Sequence, residues 1–583
     1  MDEVEAVKWF RKAAGQQYAE AEYNLGVCYE KGRGVARDEV EAAGWYLKSA
    51  EQNYMLAQHD LALCYESGQG VTRNVREAVK WWRKAAEQGD AQSQHNLGCC
   101  YGKGEGVAKD EVEAAKWFRE AAEHGYAEAQ NHLGQCYALG QGVRKDEAEA
   151  IRWWLKAAAQ NHAEAQHQLA YFYHTGQGTV KDHVQAAGWW RRAAEQNNAE
   201  AQFQLGACYA NGDGVAKDEV EALKWIRKSA EQNFAFAQMK LGVSYATGRG
   251  VATNHAEAAK WWRKAADQNN AEAQFFLGGA YATGRGLQKD PAKALEWIRK
   301  AAELNYLEAQ NHLGDCYATG EGADTNYAEA VKWFRKAAEQ NSARAQFQMG
   351  QCYAAGRGVV KDELEAVKWL RKAAEQNYAQ AQSDLGACYA HGLGVAKDVA
   401  EAVKWYRLAA EQKHAAAQSV LGWCYATSQS VATNHVEAVK WYRQAAEQKD
   451  AWAQNELGWC YANGLGVAKD VAEAVKWYRL AAGQNLPGGL KNLAWALATN
   501  PNPSFRDGSN AVVLAEKAVA ATSPRIPWHL GTLAAAYAET GQFEKAVITQ
   551  QEAIALLQTE TDKNDFRSRL RLYEAKSPYR AAD

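Results

Sequence analysis

The sequence lacks long apolar runs and any marked excess of charge of one sign. It contains no stretch of about 18 consecutive apolar residues, so no segment is suited to crossing a bilayer as a helix. Lysine and arginine number 67 against 70 aspartate and glutamate residues, and neither sign forms a long block. We therefore expect no nucleic-acid partner and no insertion into a membrane.

The first residues, MDEVEAVKWF, also lack the basic and then apolar order of a secretion signal. We expect the chain as written to be soluble and cytoplasmic. At 583 residues it is too long for one hydrophobic core of ordinary size. Its length predicts either several domains or one extended array of repeats.

What the sequence has instead is internal repetition. The stretch NLGVCYEKGRGVARDEVE at 24–41 returns as NLGCCYGKGEGVAKDEVE at 96–113 and as QMGQCYAAGRGVVKDELE at 348–365, at multiples of 36 residues. Residues that are a multiple of 36 apart are called equivalent below. One such position is always tryptophan, namely Trp9, Trp45, Trp81, Trp117, Trp153, Trp189, Trp225, Trp261, Trp297, Trp333, Trp369, Trp405, Trp441 and Trp477. A period of this kind predicts a repeat solenoid.

Most cysteines occupy one equivalent position, namely Cys28, Cys64, Cys100, Cys136, Cys208, Cys316, Cys352, Cys388, Cys424 and Cys460. Phe172, Ser244 and Ala280 stand there in other copies, which a metal ligand or nucleophile would not tolerate. Equivalent residues on stacked helices should lie roughly 8–10 Å apart, beyond the reach of a disulfide. We therefore interpret these thiols as core side chains in a reducing compartment.

Each copy predicts two helices. Leu25 and Cys28 lie on the apolar stripe of a first helix, which Gly32 should end in the left-handed conformation. Asp38 should begin a second helix as its N-cap, and Glu41, three residues later, predicts a capping box. The glycine-rich connection is not a phosphate loop, because Asp38 occupies the helix N-terminus that a phosphate would need.

In the second helix, Ala42, Trp45 and Ser49 predict the buried stripe, and Asn53 should end the helix in the left-handed conformation. One helix pair cannot bury both of its apolar stripes alone, so neighbouring pairs must stack. The sequence therefore predicts an all-α fold, a right-handed superhelical α-solenoid of antiparallel helix pairs with a 36-residue repeat.

The consensus A-x-A-Q-x-x-L-G-x-C-Y-x-x-G-x-G-V-x-x-D-x-x-E-A-x-K-W-x-R-K-A-A resembles the Sel1-like repeat over about residues 1–486. The resemblance implies an α-solenoid related to tetratricopeptide repeats. It also implies an adaptor or scaffold for protein complexes, with no catalytic residues.

Three regions are predicted: a half repeat with only a second helix at 1–18, tandem repeats at 19–486, and tetratricopeptide-like helices with a C-terminal cap at 487–583. Because Met1 stands where other copies have lysine or arginine, and its copy has no first helix, we expect the natural polypeptide to extend upstream. In the last region, the residues at the packing positions of a tetratricopeptide motif are Leu533, Ala534, Tyr537, Ala546 and Ala553.

Binding residues are expected on the first helices. Positions equivalent to 20, 23, 24, 27 and 31 vary between copies and form one stripe, called the first-helix stripe, which should line the concave groove of the solenoid. Aromatic and polar side chains there suit a protein-binding surface. The predicted partner-binding residues are Tyr23, His59, His95, His132, His167, Tyr171, Phe203, Met239, Phe275, Phe276, His312, Phe347, Trp423, Trp459 and Trp495.

Two subsets of the stripe allow more than one interpretation. Trp423, Trp459 and Trp495 are equivalent and should form a ladder, which either anchors apolar side chains of a peptide or packs against the next repeat. The successive histidines of the stripe could suggest a row of metal ligands. A spacing near 10 Å between stacked helices opposes shared coordination, so we predict polar groove contacts and no metal site.

The favoured hypothesis is a non-enzymatic scaffold or adaptor that binds a protein or an extended peptide in its groove, without a cofactor. Two alternatives stay open. One is the targeting region of an enzyme whose catalytic domain lies upstream of residue 1. The other is a small-molecule or glycan binder that uses the tryptophan ladder. The oligomeric state and the identity of the partner cannot be read from the sequence.

Overall fold

The computed structural model describes residues 2–428, 431–523 and 525–581. These residues form 32 α-helices, one short 3-10 helix and no strand, which confirms the all-α prediction. None of the helices described is both long enough and apolar enough to cross a membrane. Met1, on which the prediction of an upstream extension depends, lies outside the described residues.

The helices divide into two compact units after Lys300. The first unit holds α1 Glu3–Ala14, α2 Ala19–Lys31, α3 Glu39–Glu51, α4 Met55–Ser67, α5 Val75–Glu87, α6 Ala91–Lys103, α7 Glu111–Glu123, α8 Ala127–Leu139, α9 Glu147–Ala159, α10 Ala163–Thr175, α11 His183–Glu195, α12 Ala199–Asn211, α13 Glu219–Glu231, α14 Ala235–Thr247, α15 His255–Asp267 and α16 Ala271–Thr283. Helix α17, Pro291–Glu303, contains the division.

The second unit holds α18 Leu307–Thr319, α19 Tyr327–Glu339, α20 Ala343–Ala355, α21 Glu363–Glu375, α22 Ala379–His391, α23 Val399–Glu411, α24 Ala415–Thr427, α25 His435–Glu447, α26 Ala451–Asn463, α27 Val471–Gly483, α28 Pro487–Thr499, α29 Gly508–Ala520, α30 Pro527–Glu539, α31 Phe543–Leu556 and α32 Glu560–Glu574, with a 3-10 turn at Pro503–Phe505. Even-numbered helices from α2 to α30 are the first helices of their pairs. From α1 to α16 and from α18 to α32, consecutive helices pack against each other, as a solenoid of helix pairs requires.

The two glycines in the loop that joins a first helix to its second helix have different structural roles. Gly68 ends α4 in the left-handed conformation, with a φ of 82°, and its N–H donates to the Cys64 carbonyl, as the sequence predicts. Gly70 also has a positive φ, and a Cβ atom there would lie 1.9 Å from the carbonyl oxygen of Glu39. The second glycine therefore lets the loop touch the first turn of the preceding second helix.

The N-cap prediction is confirmed, and the capping box is not. Asp38 Oδ1 accepts the backbone N–H of Glu41 at 3.0 Å, which caps α3. The N–H of Asp38 donates to the Tyr29 carbonyl at 3.0 Å instead of to a glutamate side chain. A free carbonyl near the end of the first helix thus takes the role that the capping box assigns to glutamate. The glutamate pairs with a lysine three residues later, as Glu221 does with Lys224 at 2.8 Å.

In each second helix of the Sel1-like repeats, the side chain that follows the tryptophan is more deeply buried than the tryptophan itself. Tyr46 is 1% exposed, and a Cβ atom on Gly26 would lie 2.7 Å from its ring. The predicted buried stripe is therefore correct for Ala42 and Ser49, but its aromatic member is Tyr46 and not Trp45. Trp45 is half-buried at the edge of the core, where the Lys48 ammonium lies 3.7 Å from its ring centroid.

A buried glutamine in each first helix from α4 to α26 joins neighbouring copies. Gln202 of α12 donates its Nε2 to the Ala194 carbonyl of α11 at 3.0 Å, and its Oε1 accepts Nε2 of Gln232, at the end of α13, at 2.7 Å. The second of these bonds recurs as Gln88–Gln58, Gln160–Gln130, Gln196–Gln166 and Gln268–Gln238 in the first unit, and as Gln340–Gln310, Gln376–Gln346, Gln412–Gln382, Gln448–Gln418 and Gln484–Gln454 in the second. One amide group therefore holds three helices together.

All eleven cysteines are free thiols. Cys208 is 3% exposed, and burial raises its pKa to about 12. Burial has the same effect on the pKa of Cys460. These thiols fill the core as the sequence predicts.

We expect Gln202→Leu to lower the free energy of unfolding by about 0.5–1.5 kcal/mol, because the Ala194 carbonyl and the Gln232 amide each lose one hydrogen bond. The measurement is urea unfolding of the full chain, with hydrogen exchange to locate the change in α11–α13. Gln177→Leu, at an exposed loop position, is the control and should change stability by less than about 0.5 kcal/mol. Equal effects of the two substitutions would contradict the role of the glutamine.

Alanine substitutions at two glycines should change the stability of the chain in opposite directions. Gly70→Ala should destabilise the chain by at least about 1–2 kcal/mol, since its φ is positive and the added Cβ meets the Glu39 carbonyl. Gly44→Ala, within α3 and with no atom within 4 Å of the added Cβ, should stabilise it by about 0.5–1 kcal/mol. Thermal unfolding of both variants measures this. A stabilised Gly70→Ala chain would show that the loop does not need the close approach.

Native thiol alkylation tests the core assignment. At pH 8 a thiol with a pKa of about 12 is ionised to only about one part in ten thousand, and the thiolate is the reactive form. Cys208 and Cys460 should stay unmodified by iodoacetamide in the native chain and react readily in urea, as followed by mass spectrometry. Labelling of Cys208 at the same rate in both conditions would contradict its burial.

Candidate functional site

The first-helix stripe is graded in exposure. At positions equivalent to 23, His59 is 9% and Met239 is 2% exposed. At positions equivalent to 27, Tyr171, Trp423 and Trp459 are 43%, 40% and 43% exposed. These residues equivalent to 27 are therefore the accessible part of the stripe, whereas Met239, equivalent to 23, is buried.

Aromatic side chains equivalent to Tyr23 contact an aromatic ring at the start of the next first helix. The ring centroids are 5.3 Å apart for Tyr23 and Tyr54, 5.6 Å for Phe203 and Phe234, and 5.4 Å for Phe347 and Tyr378. These predicted partner-binding residues thus pack one copy on the next and keep only part of each ring accessible.

Two phenylalanines of α16 lie side by side on the stripe. Phe276 stacks on Trp262 at 5.3 Å with an interplanar angle of 15°. The ring of Phe275 is 6.2 Å from that of Phe276, and both are half-buried. They form a flat apolar area in the first unit.

The buried histidines link neighbouring copies. His59 Nδ1 lies 2.8 Å from Ser93 Oγ and 3.0 Å from the Asp90 carboxylate. His167 is 8% exposed, and its Nε2 lies 3.4 Å from the Glu200 carboxylate. Burial lowers the pKa of His167. These side chains therefore join neighbouring copies, and little of their surface is left to line a groove.

His95 and His132 meet directly. His95 Nε2 lies 3.2 Å from His132 Nδ1, so the expected separation near 10 Å is wrong for this pair. That figure applies to helix axes, whereas these rings stand at positions equivalent to 23 and 24 and reach toward each other across the junction of α6 and α8. Burial and the neighbouring His132 lower the pKa of His95 to about 4, so its imidazole is neutral at pH 7.

Cys99 joins the two histidines. Its Sγ lies 3.6 Å from His95 Nε2, one helical turn away on α6. Sequence reasoning missed Cys99 because the other cysteines share a core position. The available signal was its displacement by one residue from Cys100, which places it on the first-helix stripe. In the second unit, His312 and Cys316 form a similar pair, with Nδ1 and Sγ 3.2 Å apart.

The C-terminal segment covers one tryptophan of the predicted ladder. The Tyr579 ring lies 5.7 Å from the Trp495 ring, and the Arg569 guanidinium lies 4.8 Å from the centroid of that ring. Trp423 and Trp459 face solvent at the equivalent position. Sequence reasoning missed Tyr579 and Arg569, because no local pattern in the terminal segment indicates a contact 84 residues away.

This segment also uses its main chain. After α32, residues 577–581 have no helical structure, and the N–H of Ala581 donates to the Thr499 carbonyl at the end of α28 at 2.9 Å. The guanidinium of Arg580 pairs with Glu539 at 2.6 Å. A non-helical segment therefore binds α28 and α30 through one aromatic ring, one main-chain hydrogen bond and one ion pair.

Comparison with known proteins identifies the repeat. The Sel1 repeat model matches fourteen segments, at residues 2–18, 19–54, 56–90, 91–126, 127–162, 163–198, 199–234, 235–270, 271–306, 307–342, 343–378, 379–414, 415–450 and 453–486. Comparison with the curated proteins found none that matches.

Two solved structures are similar to this chain. One is c5321, a protective antigen present in uropathogenic Escherichia coli strains and displaying an SLR fold, with 33% identity, coverage of 82% of this chain and 97% of that one, and a TM-score of 0.61. The other is a Sel1 repeat protein from Oxalobacter formigenes, with 33% identity, coverage of 52% and 88%, and a TM-score of 0.45. Repeat solenoids of this type are typically non-catalytic and generally act as protein-interaction scaffolds. Because its helix pairs carry this repeat from residue 2 to residue 486, the chain belongs to the Sel1 repeat family.

Proposed function

We propose that the chain is a scaffold that binds an extended segment of a partner protein along its first-helix stripe. The contact between Tyr579 and Trp495 carries this proposal, because it is an example of such binding within the chain itself. Solenoids use surfaces of this kind to hold extended segments.

Trp423 and Trp459 stand at the position equivalent to Trp495, and each exposes about two fifths of its surface, 40% and 43%. A partner's aromatic ring can pack on them as Tyr579 packs on Trp495. Large aromatic side chains of this kind supply most of the free energy of binding at protein interfaces. The two exposed tryptophans are therefore the proposed anchor positions.

Carboxyl groups on the same helix faces favour a basic neighbour. Asp384 and Glu456 stand at the position equivalent to 24, and burial raises the pKa of each. A cationic side chain beside the aromatic one would stabilise their charged forms, as Lys491 of this chain already does for Glu456. Arg580, next to Tyr579, shows the same combination in the C-terminal segment. We therefore propose a partner segment with an aromatic residue and an adjacent lysine or arginine.

Selection of displayed random peptides on the purified full chain tests this proposal. The enriched sequences should share an aromatic residue with a lysine or arginine beside it. Trp423→Ala with Trp459→Ala should weaken binding of a selected peptide at least about 10-fold, because truncating an anchor costs more than about 1 kcal/mol. Fluorescence polarisation measures the affinity.

The matched control is Trp9→Ala, which removes a tryptophan that is 58% exposed on the second helix α1. It should leave the affinity unchanged, and circular dichroism should show equal helix content in all variants. An equal loss in the control, or no enrichment of any peptide, would contradict the proposal. Tryptophan quenching by sugars in place of peptides would favour the glycan alternative.

A further inference from the structure

His95, Cys99 and His132 bring three metal-ligand atoms together on the first-helix stripe. One ligand atom from each residue lies within 4.8 Å of the other two. His95 and Cys99 are one turn apart on α6, and His132 comes from the following first helix, α8. Within the described ranges, this is the one group of three histidine, cysteine or carboxylate side chains with such spacing.

The distance between His95 and Cys99 matches that of two ligands around one tetrahedral ion. Zinc lies about 2.0–2.1 Å from histidine nitrogen and about 2.3 Å from cysteine sulfur, so tetrahedral angles separate two nitrogens by about 3.3 Å and a nitrogen from a sulfur by about 3.6 Å. His95 Nε2 and Cys99 Sγ are 3.6 Å apart, whereas the His132 nitrogen that lies 3.2 Å from His95 Nε2 is Nδ1. His95 and Cys99 therefore need little movement to bind one ion, and the His132 ring has to turn to offer its Nε2.

A hydrogen bond also orients the His132 ring. Its Nδ1 lies 2.9 Å from the Glu128 carbonyl oxygen on the same helix. A backbone carbonyl is a usual partner for the nitrogen that does not bind the metal in a ligating imidazole. With Nδ1–H donating to Glu128, the lone pair of His132 is on Nε2, the nitrogen it offers to an ion.

Aromatic neighbours hold both imidazoles in place. The Phe118 ring stacks on His132 at 5.1 Å and 14°, and the Tyr126 ring meets His95 edge-on at 5.3 Å. The ligands also come from the middle of two helices and not from loops. A site held in this way is preorganised for its ion.

We propose that His95, Cys99 and His132 bind one Zn²⁺ ion on the first-helix stripe. Two imidazoles and one thiolate suit zinc, whereas magnesium and calcium prefer oxygen ligands. Three protein ligands leave the fourth coordination position to water or to a side chain of a bound partner. The site does not depend on the proposed peptide binding, since its three ligands belong to this chain.

The experiment uses the full chain, reduced and stripped of metal with a chelator. Zn²⁺ alone is titrated in competition with a chromophoric chelator at neutral pH, and Co²⁺ is added in a parallel sample. We expect saturable binding of one equivalent of Zn²⁺. The cobalt sample should show a thiolate-to-cobalt charge-transfer band together with the ligand-field absorption of a tetrahedral ion.

The variants carry residues that other copies have at the equivalent position, and we therefore expect them to keep the fold. Cys99→Ala places the residue found at Ala207, and His132→Gln places the residue found at Gln168. Each should weaken zinc binding at least about 10-fold, and Cys99→Ala should also abolish the charge-transfer band. The matched control is Cys316→Ser, in the pair formed with His312, which should leave the affinity of the site unchanged.

Circular dichroism must show the same helix content in each variant. Absence of saturable zinc binding by the wild-type chain would overturn the proposal. Retained affinity in either Cys99→Ala or His132→Gln would overturn it as well, because the ion would then have other ligands. Loss of binding in Cys316→Ser instead would place zinc at the other pair and would also contradict the assignment.

Discussion

The hydrogen-bonded glutamine between neighbouring copies is the interaction on which the rest of the structure depends. Gln202 binds a carbonyl of the preceding second helix and the amide of Gln232 in its own copy, and the Gln202 side chain itself is buried. A buried amide must have its partners, so the two helix pairs are held in one relative position. Repetition of this bond keeps equivalent residues in register along each unit.

That register produces a surface with two roles. Side chains equivalent to Tyr23 pack on the next copy, whereas Trp423 and Trp459 face solvent. Because the packing is carried by glutamine, glycine and the buried second-helix aromatic, the outer residues can vary between copies without loss of the fold. The zinc ligands around Cys99 and the exposed Trp423 and Trp459 are such variations.

Local rules predicted much of each repeat. Asp38 and Gly32 were placed correctly, because a helix end needs a capping oxygen or a left-handed residue whatever surrounds it. The errors concern partners that lie far along the chain or on the facing helix. Tyr29 took the place of the capping glutamate, and Tyr46 lies deeper than Trp45 because Gly26 on the facing helix leaves room for its ring.

The sequence by itself determined the period, the helix pairs and their ends, since these depend on residues close together in the chain. Two features of the candidate sites were decided only by the tertiary structure. His95 and His132 meet at 3.2 Å because their rings face each other across two helices, and Tyr579 covers Trp495 because the chain returns to α28 after four further helices. Contacts between side chains of different copies depend on how the copies pack, and a repeat pattern contains helix spacings but not the directions in which side chains reach.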